Sequence, residues 1–214
     1  GLSLLGAAYR NIGNSEKAAK FFLHASNLEE DFQKSCAEIS NAIFSANDGE
    51  NFSAEDFQKF YSIYQNKIST RETFQKKIYN HKKIRVGYIS ADFAEHPVME
   101  FAWNLIFSAD KNFFEIYCYS SNSNRDWVTE KIISSAEFFR DISKLNDLEA
   151  AEKIRADEID ILVDLSGHTA GNRLLIFAYR PATVQISGIG YMNSTGLNCF
   201  DYFLSDKICA ENSD

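Results

Sequence analysis

The apolar residues of this chain follow two patterns, and the change from one to the other falls near residue 82. Residues 1–80 contain no proline, and their apolar side chains recur at the three- and four-residue spacing of amphipathic helices. From Ile84 onward, short apolar runs alternate with amphipathic segments, which is the pattern of βα units. The sequence therefore predicts an all-α region at 1–82 and an α/β domain at 83–214.

The α/β region is expected to contain six strands and four helices. The strands are predicted at Ile84–Ser90, Phe114–Ser120, Phe138–Ile142, Ile159–Leu165, Val184–Ile189 and Tyr202–Ser205. The helices are predicted at Pro97–Phe107, Asp126–Ser135, Asp147–Ala156 and Asn172–Tyr179. Short connections of this kind require parallel strands and right-handed crossovers. The predicted fold class is therefore α/β, with a doubly wound and mainly parallel sheet.

The chain begins with a predicted helical hairpin. The signature positions of a tetratricopeptide repeat are matched by Leu5, Gly6, Tyr9, Ala18, Phe22 and Ala25. The turn is expected near Gly13, with Ser15 as N-cap of the second helix. Glu30 stands where the repeat usually has proline, and a generic αα-hairpin is the alternative. Because one repeat cannot bury both of its faces, it should end an array or dock on the next part of the chain.

Residues 31–82 are expected to serve helical packing rather than chemistry. An aromatic stripe at i, i+3, i+4 and i+7 consists of Phe57, Phe60, Tyr61 and Tyr64. Ser53 is the expected N-cap of that helix. A short basic run surrounds His81 and is interpreted as a solvated linker before the first strand.

The composition of the chain argues against nucleic acids and membranes as binding partners. A net charge of -8 and a pI near 5.1 argue against nucleic-acid binding, which usually needs a basic face. Apolar runs are too short to span a membrane, and the chain does not open with a signal segment. The four cysteines are Cys36, Cys118, Cys199 and Cys209, and no two of them form a CxxC pair. They are therefore expected to be reduced thiols of a cytoplasmic protein rather than disulfides or ligands of a zinc site.

The loop after the first strand, within DFAEHPVMEF, carries His96 directly before Pro97. Proline favours the first turn of a helix, so His96 is expected at the N-cap, beside free backbone N–H groups. That position favours a neutral ring that accepts a proton or bonds a ligand hydroxyl. A plain capping role is the alternative. The loop has no glycine, so a dinucleotide-binding fingerprint is missing.

A second polar loop, DLSGHTAGNR, follows the strand that ends near Asp164. His168 and Thr169 are candidate ligand donors, and Arg173 opens the next helix, where it either binds a ligand or forms an ion pair. Asp164 should be buried and hydrogen-bonded or lie near the strand's end, with a structural or a functional role.

A third loop, GIGYMNSTG, follows the next strand. Its backbone N–H groups and polar side chains could bind an anion or a sugar; the candidates are Asn193, Ser194, Thr195 and Gly196. The three loops should line the carboxyl edge of one parallel sheet, where open α/β folds bind ligands.

The order of these motifs resembles the protein O-linked N-acetylglucosamine transferases, in their bacterial SPINDLY-like branch. The motifs that carry the resemblance are RVGYIS, the following DF and HP, FEIYCYS, ILVDLSGHTAGNR, FAYRPATVQ, GYMNSTG and DYFLSD. The resemblance implies a Rossmann-like first lobe of a GT-B glycosyltransferase, preceded by a tetratricopeptide array. It also implies transfer of N-acetylglucosamine from UDP-GlcNAc to Ser or Thr hydroxyls of proteins. No metal cluster is visible in the sequence, and no cofactor beyond the donor substrate is implied.

Site roles follow from the same resemblance. His96 matches a histidine that faces the sugar and the acceptor, a candidate general base. Thr195 and its neighbours match the loop beside the sugar and phosphates of the donor. The reaction would be an inverting displacement at the anomeric carbon, and the helical repeats would bind the acceptor protein.

The resemblance also implies a second lobe that holds most of the uridine-diphosphate pocket. The sequence stops at Asp214, where the two lobes would be joined, so the 214 residues alone are expected to be inactive. The alternative interpretation is a non-catalytic scaffold that binds a protein partner.

Overall fold

The structure is a computed structural model that describes residues 1–191 and 193–207. The chain divides into two compact units. The first, called here the helical unit, comprises Gly1–Arg71 together with His168–Ala170 and Thr195–Asn198. The second, called the α/β unit, comprises the described residues of Glu72–Gly167 and Gly171–Ser194, together with Cys199–Lys207. The first compact unit thus ends at Arg71, whereas the sequence predicts a domain boundary after residue 82, and two short segments of the predicted α/β domain belong to the helical unit. The bounds of the two domains stay a prediction.

The helical unit contains four helices. They are α1 (Leu2–Asn11), α2 (Ser15–Leu28), α3 (Phe32–Asn47) and α4 (Ala54–Ile68). The predicted cap of α4 is confirmed, since Ser53 forms a capping box with Asp56. The predicted cap of α2 is wrong by one residue. The Asn14 side chain accepts a hydrogen bond from the Lys17 N–H, and Ser15 is already the first helical residue.

Small residues bring α1 and α2 into close contact, as their spacing predicts. A Cβ atom on Gly6 would lie 2.9 Å from the ring of Phe22, so the ring occupies the space that glycine leaves open. Tyr9 stacks on Phe21 with ring centroids 5.3 Å apart. Phe22 shares a buried cluster with Ala18, Ala19 and Ala42 of α2 and α3.

The helical region ends earlier than its sequence pattern indicates. Helix α4 stops at Ile68, and residues 72–83 contain no helix. The backbone of this segment is satisfied by bonds within the α/β unit instead. Phe74 donates its N–H to the carbonyl of Tyr179 at 2.8 Å, and the Lys77 carbonyl accepts from the hydroxyl of Thr183 at 2.7 Å. The expectation that residues 1–80 are all helical is therefore wrong.

The basic run around His81 is not a simple solvated linker. The Nε2 atom of His81 lies 3.1 Å from Glu158, and its Nδ1 atom lies 3.1 Å from Asp160. Asp160 also accepts the backbone N–H of Arg85 at the start of the first strand. His81 thus anchors the segment to the α/β unit by its side chain.

The described residues of the α/β unit form six strands and four helices. The strands are β1 (Ile84–Ser90), β2 (Phe114–Ser120), β3 (Phe138–Asp141), β4 (Ile161–Asp164), β5 (Val184–Gly188) and β6 (Tyr202–Leu204). The helices are α5 (Pro97–Phe107), α6 (Trp127–Ser135), α7 (Asp147–Ala156) and α8 (Leu174–Ala178). Strands β1 and β2 and helices α5 and α7 have the predicted bounds, and the other elements are one to three residues shorter than predicted.

All neighbouring strands are parallel, in the order β3-β2-β1-β4-β5-β6. This order confirms the predicted doubly wound α/β sheet. Successive residues of β1 pack on opposite faces of it. Val86 and Tyr88 join a core cluster with residues of α5 and α6, whereas Gly87 faces Leu162 and Ile159. The order reverses between β1 and β4, and the loops that follow these two strands lie at the switch point where such sheets bind ligands.

The structure also bears on the predictions about membrane-spanning segments and about the cysteines. Among the described residues, no helix is long and apolar enough to cross a membrane. Cys36, Cys118 and Cys199 are buried, and each carries a thiol rather than a disulfide. Cys209 lies outside the described residues.

Candidate functional site

His96 caps helix α5 in the loop that follows β1. Its backbone is extended, with φ -144° and ψ 145°, and Pro97 occupies the first helical turn. The Nδ1 atom accepts a hydrogen bond from the backbone N–H of Val98 at 3.3 Å. The predicted N-cap is thereby confirmed. The side chain keeps 45% of its surface exposed, so the capping contact leaves part of the ring accessible.

This contact determines which ring nitrogen of His96 carries the proton in the neutral form. Since Nδ1 accepts from Val98, the hydrogen must sit on Nε2, which is then a donor. Asp92 provides the other neighbour of Nδ1, at 3.9 Å from its Oδ2 atom. Burial raises the pKa of the Asp92 carboxyl, and the nearby His96 opposes that rise. Sequence reasoning missed Asp92, although it lies only four residues before His96 in the same loop.

A cavity of about 580 Å³ adjoins His96. Its lining includes Glu95, Met99, Glu100, Trp103 and Trp127. Trp127 is 61% exposed and donates its indole N–H to Glu95 at 3.3 Å. A cavity of this volume is of the size that holds a small ligand or part of a larger one.

Asp126 connects this loop to α6. Its carboxylate caps the helix by accepting the N–H groups of Val128 and Thr129, and it also accepts the N–H of Glu95 at 2.6 Å. These bonds lower the pKa of Asp126, with the Glu95 N–H as the largest contribution. The charged carboxylate of Asp126 therefore holds the backbone of Glu95, which lines the cavity beside His96.

Asp164 ends β4 and shapes the turn after it. Its carboxylate accepts the N–H groups of Ser166 at 3.2 Å and Gly167 at 2.8 Å, and the hydroxyl of Ser187 at 3.3 Å. Burial raises the pKa of Asp164 to about 6, although these donors favour its charged form. The expectation that Asp164 is buried and hydrogen-bonded is confirmed, and its contacts are those of a residue that holds the loop.

The loops after β1, β4 and β5 meet within the α/β unit. A Cβ atom on Gly190 would lie 1.8 Å from the Leu165 carbonyl oxygen and 3.2 Å from Val98 of α5. A Cβ atom on Gly167, whose φ is +55°, would lie 2.2 Å from Tyr191. Only glycine allows approach this close, so the three polar loops share one edge of the sheet as the sequence predicts.

His168 belongs to the helical unit and is 2% exposed. Its Nε2 atom lies 3.0 Å from the carbonyl oxygen of Thr195, and its Nδ1 atom lies 2.7 Å from the hydroxyl of Ser40 on α3. A carbonyl only accepts, so Nε2 carries the hydrogen and Nδ1 accepts from Ser40. The ring centroid of Tyr64 lies 5.8 Å away.

Burial lowers the pKa of His168 to about 4, while the bond to Thr195 opposes the change. The ring is therefore neutral at neutral pH, with both nitrogens used inside the protein. A ligand would have to displace Ser40 or Thr195 to bond to it. Sequence reasoning missed Ser40, because nothing in a serine within a helix indicates a partner 128 residues further along the chain.

The segment Thr195–Asn198 packs within the helical unit. Thr195 is buried, and its hydroxyl accepts the N–H of Leu197 at 3.4 Å. Gly196 has φ +67°, and a Cβ atom there would lie 2.0 Å from the ring of Tyr61. Asn198 donates its N–H to Gln65 of α4 at 2.8 Å. Gly196 thus has a packing reason for being glycine, in addition to its predicted place in a ligand loop.

The polar residues just before this segment are more accessible. Asn193 is half-buried, and its side chain accepts the N–H of Ser194 at 2.8 Å. Ser194 is exposed, and Thr169 in the loop after β4 is half-buried. Met192 lies outside the described residues. The role of Asn193, Ser194 and Thr169 in ligand binding stays a prediction.

Arg173 is an ion-pair residue that braces the start of α7. Its Nε atom lies 2.6 Å from Asp147, and its two terminal nitrogens donate to the carbonyls of Ile142 at 3.1 Å and Leu145 at 2.9 Å. The guanidinium and the Asp147 carboxylate are both mostly buried. Of the two roles open for Arg173, these contacts favour the ion pair over ligand binding.

Residues 59–213 match the model of glycosyl transferase family 41. Over 128 residues, or 59% of this chain, the sequence is 37% identical to a probable UDP-N-acetylglucosamine–peptide N-acetylglucosaminyltransferase, SEC, of Arabidopsis thaliana. Over 131 residues, again 59% of the chain, it is 37% identical to the similarly named SPINDLY protein of Arabidopsis thaliana. These matches span 13% and 14% of the two plant proteins.

A solved structure of a Thermobaculum terrenum O-GlcNAc transferase mutant superimposes with a TM-score of 0.85 and 29% identity. The similarity covers 96% of this chain and 40% of that protein. Together with the family match, it agrees with the parallel sheet, the switch-point loops and the helices that precede them. This chain belongs to glycosyl transferase family 41.

Proposed function

We propose that this chain forms the first catalytic lobe, and the helices before it, of an enzyme that transfers N-acetylglucosamine from UDP-GlcNAc to Ser or Thr hydroxyls of proteins. The observation that carries the proposal is His96, which caps α5 at the switch point of a family 41 lobe with its ring partly exposed beside a cavity. The chain spans less than half of the relatives it matches, so the activity belongs to the complete protein.

The proposed reaction is a displacement at the anomeric carbon. The acceptor oxygen forms a bond to that carbon, the bond to the diphosphate breaks, and the proton of the acceptor hydroxyl passes to Nε2 of His96. With Nδ1 engaged by Val98, the Nε2–H of His96 is suited to donate a hydrogen bond to a substrate oxygen. To accept the proton at Nε2, the ring would first have to exchange Val98 for Asp92, so that Nδ1 carries the hydrogen.

The donor is proposed to bind near the loop after β5. Ser194 and Asn193 have accessible polar groups, whereas the side chains of His168 and Thr195 are buried. Helices α1 and α2 are proposed to be a tetratricopeptide repeat that contributes to binding the acceptor protein. Their close packing at Gly6 and Phe22 supports this assignment. The three buried thiols suit a reducing compartment, and we propose the cytoplasm.

Replacement of His96 tests the proposed site. The protein to use is the longest natural polypeptide that contains these 214 residues, assayed with radiolabelled UDP-GlcNAc and a library of Ser- and Thr-containing peptides. His96→Asn removes the imidazole but keeps a good N-cap, so thermal stability should change little. Turnover should fall about 100-fold, the usual effect of losing a positioned acid, base or polar stabiliser.

Asn146→Ala is the matched control, because it removes the N-cap of α7 in the same unit. The Asn146 side chain accepts the N–H of Glu149 at 2.9 Å. This variant should lose about 1 kcal/mol of stability and keep its turnover. Full activity of His96→Asn would refute the role of His96. Absence of any sugar transfer by the unmodified protein would refute the proposed function and favour a non-catalytic scaffold.

A further inference from the structure

Two buried serines on α3 use their hydroxyls differently. Ser45 donates to the carbonyl of Asn41, four residues back in its own helix, at 2.7 Å. Ser40 lies 2.7 Å from the Nδ1 atom of His168, in a segment that follows β4. Both serines are at most 2% exposed. The bond of Ser40 therefore joins a helix to a distant loop, whereas the bond of Ser45 stays local.

The bond from Ser40 continues through His168 to Thr195. The hydroxyl of Ser40 donates to Nδ1, and Nε2 donates to the carbonyl oxygen of Thr195 at 3.0 Å. Because the carbonyl fixes the hydrogen on Nε2, every bond in this path has a defined direction. The path is buried along its whole length, since Ser40, His168 and Thr195 are all at most 4% exposed.

We propose that Ser40 is a positioning residue that acts through His168 to fix the main chain at Thr195, and thereby prepares the loop of Asn193 and Ser194 to bind the nucleotide-sugar donor. This inference rests on the proposed function, which places the donor at that loop. Ser40 itself has no contact with the donor in this proposal. Its effect reaches the donor only through the conformation of the main chain.

The contacts around Thr195 explain why the hydrogen bonds from Ser40 through His168 should affect the loop before it. On the carboxyl side, Gly196 packs against Tyr61 and Asn198 is bonded to Gln65. At Thr195 itself, the carbonyl is held by His168, and the loop residues before it lie nearer the surface. Loss of the Ser40 hydroxyl removes the donor to Nδ1, so the ring is held less firmly and the carbonyl with it. Donor binding would then include the cost of ordering the loop.

The test compares Ser40→Ala with Ser45→Ala in the longest natural polypeptide that contains this chain. Each variant removes one hydroxyl from a buried site on the same helix. Hydrogen exchange is followed by mass spectrometry in peptides that cover residues 193–198, without substrate. The KM for UDP-GlcNAc and kcat are then measured at saturating acceptor peptide, and thermal melts report general stability.

Ser40→Ala should speed exchange at residues 193–198 and raise the donor KM about tenfold, the effect of one hydrogen bond. Its kcat should change much less, and Ser45→Ala should alter neither exchange nor KM. Unchanged exchange in Ser40→Ala would overturn the proposed path. Faster exchange with an unchanged donor KM would overturn the link between the path and donor binding. The proposed function would survive both results, because it fails only if the unmodified protein transfers no sugar.

Discussion

Strands β1 and β4 are neighbours in the sheet, and the loop that follows each of them carries one histidine. The two histidines have opposite surroundings. His96 is partly exposed and uses one ring nitrogen to cap a helix. His168 is buried and uses both nitrogens, one toward Ser40 and one toward Thr195. The first can meet a ligand without breaking a bond between protein groups. The second cannot, so its contribution to function is expected to be indirect.

The difference shows that the position of a histidine in a sheet fold does not determine its role. Both residues come just after a strand, in polar loops, where open α/β folds place their sites. What distinguishes them is the number of ring nitrogens that the protein itself occupies. Stability measurements can therefore separate the two histidines, because only His168 contributes to a buried network.

The largest expected effect is the contrast between alanine variants at the two positions. His168→Ala should destabilise the protein by about 4 kcal/mol, since it opens a cavity and removes partners from Ser40 and Thr195. His96→Ala should cost about 1 kcal/mol, the value of a helix cap. Urea denaturation followed by circular dichroism gives both values. Equal losses would show that the burial of His168 has no energetic consequence.

The next effect is the contribution of His168 to the pH dependence of stability. Its pKa is about 4 in the folded protein and near 6.5 when unfolded, so acid protonates the unfolded chain first. The neutral ring of His168 therefore contributes about 3 kcal/mol to the free energy of unfolding. This contribution is complete above pH 6.5 and is lost as the pH falls toward 4.

The measurement is the free energy of unfolding at several pH values, for the unmodified protein and for His168→Gln. The pKa of Asp164 is raised to about 6, so its own contribution changes in the opposite sense, falling as pH rises from about 4 to 6. Asp164 is present in both proteins, and its contribution cancels in the difference. His96→Asn is the control and should keep the dependence. If His168→Gln has the same pH profile as the unmodified protein, the ring is protonated as easily as in a free peptide.

A smaller effect should distinguish packed from open glycines in the helical unit. Gly13 and Gly196 both have positive φ, at +77° and +67°, but only Gly196 has a ring in the place of a Cβ atom. Gly13→Ala should cost about 1 kcal/mol from backbone strain. Gly196→Ala should cost about 2 kcal/mol more because its methyl group would overlap Tyr61. Thermal melts of the two variants test this, and equal midpoints would contradict the packing of residues 195–198.

Local signals in the sequence predict the α/β unit better than the helical unit. The apolar runs of β1 and β2 and the proline after His96 determine those elements over a few residues, so their bounds and the cap are predicted correctly. The segment after Ile68 is mistaken for helix because its pattern contains no proline. Its bonds to Tyr179, Thr183 and Asp160 are tertiary, and no local pattern reveals them.

In the candidate site, too, the features that depend on local sequence patterns are predicted, and the contacts between distant residues are not. The three loops meet as expected because βα patterning predicts parallel strands, and the carboxyl ends of parallel strands share one edge of the sheet. The pairing of Ser40 with His168 spans 128 residues and has no local sign. For Arg173, sequence reasoning identified the correct alternatives but not the partner, Asp147, that distinguishes them.

The position of β6 has a consequence for how the protein behaves in concentrated solution. In the described part of the chain this strand pairs with β5 on one side only, and its side chains Tyr202, Phe203 and Leu204 are exposed. An open, apolar strand edge is a template for pairing with another molecule. The net charge of -8 repels such neighbours at low ionic strength. Preparations of these 214 residues should therefore self-associate more as salt is added, and buffers of low ionic strength should keep them monomeric.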